Sequence, residues 1–415
     1  MITDFVWRRS LPVSFIVATS CAVALSLPAA SGAKTGTGGT LSSLPPTLSA
    51  VECLRGCAGI DVARPGSLVR ITGAELATVK TVTFVGGSST TDDVTAAVRS
   101  LSSAGARSNV TLTVFVPTNA RSGPIVAANS DGLFSTDKLT LTIDRKPPPA
   151  SGSGAVEARI STKTVLFGGK NKAVLTYLLQ PGAPAKLSVG LVRVKSGELV
   201  RTWQPGVVEP GVTRTVTWNG RDQRGAVAPD GQYRFRVVAG DQLTPPAAPT
   251  GDQGTGGVRA ARATDTAASP KLSFRFLQHI FPVRGPHDYG TFTNSFGGGR
   301  NHGGQDVLSP CGTPLVAARG GKVIASDMEN GGGGNTVVID GLGTDVIYVY
   351  YHMRDTPLPK VGEIVWTGQL IGFVGSTGSS TACHLHLELH HGGNWYDDSR
   401  AFDPLPSLKA WDGLS

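Results

Sequence analysis

Short runs in which apolar and polar residues alternate recur along most of this 415-residue chain. In Leu68-Val69-Arg70-Ile71-Thr72, Thr81-Val82-Thr83-Phe84-Val85 and Val110-Thr111-Leu112-Thr113-Val114-Phe115-Val116, apolar side chains fall at about every second position. That period suits a strand with one buried face, because successive side chains point to opposite sides. Gly, Pro, Asn or Ser lies close to each run, so the segment from 49 to 145 is predicted to be a β-sandwich of short strands and tight turns. A second strand-rich unit is predicted over 155–242. There Asp230-Gly231 reads as a turn, after which Tyr233, Phe235 and Val237 alternate inward.

A third alternating region, 276–411, contains Gly321-Lys322-Val323-Ile324-Ala325, Asn335-Thr336-Val337-Val338-Ile339, Asp345 to Tyr350, Leu370-Ile371-Gly372-Phe373-Val374 and His384 to Leu389. These predict a compact, mostly antiparallel β fold without a large helix. Segments rich in Gly, Ser, Thr, Ala and Pro separate the units, at 34–48, 146–154 and 243–275, and read as linkers. The predicted fold class is therefore mainly β, with two sandwich domains followed by a compact antiparallel domain. The length supports two or three cores.

Composition adds little to the fold but narrows its setting. Charged residues make up 16% of the chain, with 54 Gly and 27 Pro, which disfavours helical bundles. The net charge of +8 is diffuse and no Lys/Arg-rich block is interleaved with aromatics, so nucleic acid is not expected as a partner. A diffuse positive balance suits loose association with anionic polymers, those of a wall among them, or with membrane surfaces, and equally a generic solvated surface. Residues 1–33 read as an export signal: Arg8 and Arg9 precede an apolar run from Leu11 to Leu27, and small residues follow. Two other readings stay open there, a lipidated Cys21 and an uncleaved membrane anchor. With the segment removed, the chain is expected to be secreted or wall-associated; membrane contact is expected only if it is retained. Four cysteines then remain, Cys53, Cys57, Cys311 and Cys383. In an exported chain they predict the disulfides Cys53–Cys57 and Cys311–Cys383.

The candidate chemistry lies in three blocks of the last region. They are Asn301-His302-Gly303-Gly304-Gln305-Asp306, Tyr350-Tyr351-His352-Met353 and His384-Leu385-His386-Leu387-Glu388. Strand alternation puts Leu385, Leu387 and Leu389 on one face and His384, His386 and Glu388 on the other. Two imidazoles and one carboxylate hold Zn2+ with a fourth position open to water, which is the arrangement of a catalytic rather than a structural site. Two further imidazoles remain for proton transfer. There is no H-E-x-x-H motif to supply a glutamate base. Glu388 is read as an orienting residue. His279, His287, His390 and His391 fall outside the blocks and are read as surface or locally hydrogen-bonding residues.

Three resemblances extend this reading. Residues 276–400 resemble the M23 family of peptidoglycan metalloendopeptidases, of the lysostaphin or LytM type. The resemblance rests on Phe281-Pro282-Val283, Ser295-Phe296-Gly297, His302 to Asp306, Gly312 to Ala318, Gly334-Asn335, Tyr350 to Met353, Gly368 to Gly372, Gly375 to Gly378 and His384 to Glu388. It implies zinc ligands His302, Asp306 and His386, a catalytic pair His352 and His384, and peptidoglycan as substrate. The alternative implied is a wall-binding or regulatory protein that uses the same fold without cutting. Residues 331–334 depart from the pattern. They are all glycine where the family often has an aromatic residue, and a mobile loop is expected. The first unit resembles immunoglobulin-like IPT/TIG domains, through Arg64 to Ser67, Ile71-Thr72-Gly73 and Val116-Pro117. The second resembles the Ig-like domain of flagellar hook-cap proteins, through Trp218-Asn219-Gly220 and Pro229 to Val237. Both resemblances imply spacer or binding modules.

Overall fold

The computed structural model describes residues 44–87, 90–102, 110–147, 155–239, 270–299 and 302–414. The predicted leader and most of each predicted linker lie outside them.

Alternation becomes burial as expected. In the first domain Val69, Ile71, Val82, Phe84, Leu112 and Val114 are all buried in one core. They come from two facing sheets. One has the strands Thr47–Arg55, Leu68–Ala74, Val110–Phe115 and Ser100–Ser102 in that order. The other runs Val62–Ala63, Thr140–Ile143, Gly123–Asn129, Val79–Phe84 and Val94–Ala97. Interdigitating inner faces of this kind are the basis of a β-sandwich. The predicted Cys53–Cys57 disulfide is present at the end of the first strand.

The second domain is also a two-sheet sandwich. Tyr233, Phe235 and Val237 point into its core as expected, each fully buried. Trp218 packs against Phe276 and Tyr233 with ring centroids 4.7 and 5.0 Å apart. Its indole N–H donates to the Arg221 carbonyl at 2.7 Å, so burial leaves no donor unpaired. The strand Ser273–Leu277 corrects the expected linker at 243–275 and the domain start at 276. It pairs with Gly231–Ala239 and with Thr164–Leu166 inside the second domain's sheet. Phe274 and Phe276 supply the apolar period there and complete the aromatic core. The sequence separates this strand from its partners by a low-complexity stretch, which conceals the pairing. Beyond it, Gln278 N donates to Asp230 Oδ1 at 2.6 Å, and the chain enters the third domain directly.

That third domain is an antiparallel sheet. Its strands run in the order Gln305–Leu308, His384–His391, Val346–Met353, Gly334–Gly341, Gly321–Asn330 and Ile364–Val365. A small two-stranded sheet, Pro314–Val316 with Leu370–Phe373, packs alongside. Leu385, Leu387 and Leu389 enter the core together with Tyr348, Tyr350 and Ile371. Burying each leucine contributes on the order of 1.5–3 kcal/mol. One short helix, Leu405–Asp412, adds Leu408 and Trp411 to the same core. With Leu385 to Leu389 facing inward, strand period forces His384, His386 and Glu388 to the opposite face.

Candidate metal centre and active site

Register brings the separate sequence blocks together. In the antiparallel pairing Asp306 lies directly across from His386, and Tyr351 lies across from His386 on the other side. The turn carrying His302 passes close over the histidine strand: a Cβ on Gly304 would overlap the Leu387 carbonyl oxygen. The Gly303-Gly304 pair is thus a steric requirement of the site. His352, the last residue but one of its strand, sits in the left-handed region at φ 58°, an unfavourable conformation for a residue with a Cβ. That turn points its ring back toward His384, 4.7 Å away between ring centroids.

His302, Asp306 and His386 each present one ligand atom, and the three atoms lie within 4.8 Å of one another. Asp306 Oδ1 is 3.1 Å from His302 Nε2 and 2.9 Å from His386 Nδ1. Outer partners fix all three groups. His302 Nδ1 donates to the Ser295 carbonyl at 3.1 Å, which turns Nε2 toward Asp306. Asn294 Nδ2 donates to Asp306 Oδ2 at 3.1 Å. His386 Nε2 donates to Glu388 Oε1 at 3.1 Å, which leaves Nδ1 facing the cluster. A carboxylate behind a ligating imidazole is the usual support of a metal site, and this donor set suits a borderline ion such as Zn2+. The residues present therefore fit a metal.

Electrostatics point the same way. Burial would raise the Asp306 pKa, but hydrogen bonds from three imidazoles outweigh it and hold the carboxyl well below the usual range. Glu388, likewise buried, is brought down to about 2 by hydrogen bonds to His386 and His390. For His386, burial lowers the pKa, yet Asp306 and Glu388 together raise it to about 9. Two ionised carboxylates thus face the cluster, and a metal at His386 Nδ1 would displace the proton they hold on that ring. Burial depresses the His352 pKa to about 4, so its ring stays neutral at physiological pH.

The two remaining imidazoles are anchored alike. His352 Nδ1 donates to the Thr377 carbonyl and His384 Nδ1 to the Ala382 carbonyl, each at 2.8 Å. Both rings therefore turn Nε2 toward the cluster, and His384 Nε2 lies 3.4 Å from Asp306 Oδ1. The predicted Cys311–Cys383 disulfide is present immediately before His384. A groove of about 460 Å³ runs past Asn294, His302, Asp306, His352 and His384. It adjoins a second hollow of about 330 Å³ bounded by Gly332, Gly333, Trp395 and Tyr396. All five sequence-selected residues thus meet in one groove.

Residue-type reasoning missed the supports. Asn294 acts from a 3-10 turn and Ser295, Thr377 and Ala382 from loops, these three through backbone carbonyls that carry no sequence signature. His390 is locally hydrogen-bonded as expected, but fully buried: it donates from Nε2 to Glu388 Oε2 at 2.9 Å and so joins the supports. Its position two residues after Glu388, on the same strand face, was the available signal. His279 and His287 are paired, with Tyr348 and Asp412 respectively.

Residues 300–398 match peptidase family M23, and residues 162–242 match the FlgD Ig-like domain. The glycyl-glycine endopeptidase ALE-1 of Staphylococcus capitis is 37% identical over 125 residues, which is 30% of this chain and 33% of that protein. The L-Ala--D-Glu endopeptidase of Bacillus subtilis is 33% identical over 148 residues, 32% of this chain and 44% of that protein. The chain thus spans less than half the length of these relatives. The solved catalytic domain of lysostaphin from Staphylococcus simulans is 35% identical, with 32% of this chain and 92% of that one covered, at a TM-score of 0.25. Residues 300–398 therefore belong to peptidase family M23, behind a FlgD-type Ig-like domain at 162–242.

Proposed function

We propose that the chain is an extracytoplasmic zinc endopeptidase that hydrolyses peptide bonds in the stems or cross-bridges of peptidoglycan. The observation that carries this reading is the convergence of His302, Asp306 and His386 within 4.8 Å, beside two further imidazoles in an open groove. The relatives support the reaction class. Their names specify a glycyl-glycine, an L-Ala–D-Glu and a DD bond, so relatedness alone leaves the bond cut here unassigned.

His302, Asp306 and His386 would hold the ion. When bound there, Zn2+ supplies Lewis-acid polarisation of a carbonyl and makes water a nucleophile near neutral pH. His352 is neutral and has its Nδ1–H committed to Thr377, so its Nε2 is available to take the proton from the attacking water. His384 is fixed by Ala382 and directs Nε2 into the same space, where the doubly protonated ring would donate from Nε2 to steady the developing oxyanion. The groove holds the substrate backbone and Asn294 keeps Asp306 in its rotamer.

The roles separate in one mutant series. Asp306→Ala and His302→Ala are expected to lose bound zinc and turnover together. His352→Ala is expected to retain zinc while turnover falls by about 10²–10⁴-fold. Metal analysis of each purified variant beside its rate checks this, and full activity of His352→Ala would remove that residue from the mechanism.

A further inference from the structure

The second Ig-like domain and the peptidase domain meet at Phe167. Its carbonyl accepts from Thr367 Oγ1, which in turn accepts from Gly320 N at 2.8 Å. The Phe167 ring lies 4.9 Å from the Arg319 guanidinium and 5.2 Å from that of Arg221. Arg319 is itself buried, and its Nε donates to the Leu342 carbonyl at 2.8 Å. These contacts hold two walls of the molecule in fixed relation.

Beside that clamp lies a cleft of about 460 Å³. Thr162, Thr164, Lys170 and Asn171 line it from the Ig-like side, and Arg284 and Trp366 from the peptidase side. It shares no lining residue with the grooves at the histidine cluster. Two cations face it, and no carboxylate is among its described lining residues. Trp366 stays 41% exposed there although a tryptophan normally buries more of its surface. An indole face beside hydroxyl and amide groups suits a ring with one C–H face and a polar rim. Guanidinium and ammonium groups suit a carboxylate or phosphate.

We propose that this cleft binds an anionic saccharide, with a pyranose face on Trp366 and its carboxylate or phosphate taken by Lys170 and Arg284. Thr162, Thr164 and Asn171 meet the ring hydroxyls. The site is independent of peptide hydrolysis, and it would fix the peptidase domain on a wall polymer while the separate groove meets peptide.

Calorimetric titration of the full chain tests this with four probes. They are peptide-free glycan strands carrying lactyl carboxylates, a wall polymer of phosphodiester-linked pyranoses, a neutral chitin oligosaccharide and a DNA oligonucleotide. Saturable binding of the glycan strands or of the sugar-phosphate polymer is expected, and which one binds identifies the source of the anion. The double variant Lys170→Gln/Arg284→Gln and the single variant Trp366→Ala are each expected to weaken it by about tenfold or more. Their melting temperatures and metal content should match those of the parent. The idea is overturned if neither anionic polymer binds, if chitin or DNA binds as tightly, or if the variants bind like the parent. Cleft variants should cleave a short soluble peptide at the parental rate, and His302→Ala should bind glycan unchanged, so this proposal and the peptidase reading fail separately.

Discussion

Glu388 accepts hydrogen bonds from His386 and His390 while itself largely buried, and so fixes one ligand atom from behind. Tyr351 OH adds a longer contact to the same carboxylate at 3.4 Å. Removing the negative charge frees His386 to rotate and weakens the basicity of its Nδ1. Glu388→Gln is therefore expected to lower metal affinity about 10–100-fold. Competition against a chelating dye measures it, and unchanged affinity would show that Glu388 does not support the site. At this scale the sequence was highly legible where chemistry resides in side chains at fixed spacing. His384, His386 and Glu388 could be assigned to one face because a strand has period two. The carbonyls of Ser295, Thr377 and Ala382 could not, because any residue type supplies them.

The glycine run shows what changes at the scale of an element. A mobile loop was expected over 331–334; instead Gly331–Gly333 form a single 3-10 turn and Gly334 begins a strand. Ser379 N donates to the Gly332 carbonyl at 2.9 Å, and Asn335 N to Thr377 Oγ1 at 2.9 Å. The glycines allow backbone to lie against backbone. Gly334 has φ 62°, and a Cβ there would overlap Thr377, the residue that anchors His352. Gly334→Ala is expected to cost about 1–3 kcal/mol and to reduce turnover by displacing the Thr377 carbonyl, with zinc retained. Denaturant melts and rates on the same preparation check both effects; a variant as stable and active as the parent would restore the mobile-loop view. Composition alone suggested flexibility because glycine serves both close packing and freedom. The strand Ser273–Leu277 was hidden for a related reason: its alternation was visible, but its partners lie far back along the chain.

Across the whole molecule, stability depends on buried groups near the junction between domains. His279 stacks on Trp411 with ring centroids 4.7 Å apart, pairs with Tyr348 and lies 3.4 Å from Arg319. Burial, aided by the Arg319 charge, lowers its pKa to about 3. The unfolded chain takes up the same proton near the ordinary value of about 6.5. Between those values the unfolded state holds the extra proton, so stability present above about pH 6.5 is lost as pH falls toward 3. The contribution of this one group has a slope of at most about 1.4 kcal/mol per pH unit. Urea unfolding of the parent and of His279→Gln across that range should show a steeper decline in the parent; parallel curves would contradict it. The mainly β architecture was legible at this scale, because alternation and turn chemistry are local. How the second domain clamps the third at Phe167 was not, since it depends on tertiary contacts between distant residues.

The central claim is that the histidine cluster cuts peptidoglycan peptides. Mass spectrometry of fragments released from purified peptidoglycan by the zinc-loaded chain tests it most directly. The account predicts new amino termini within stem or cross-bridge peptides, absent when Asp306→Ala replaces the parent. Zinc-loaded parent protein that releases no such fragments from any peptidoglycan chemotype would contradict it.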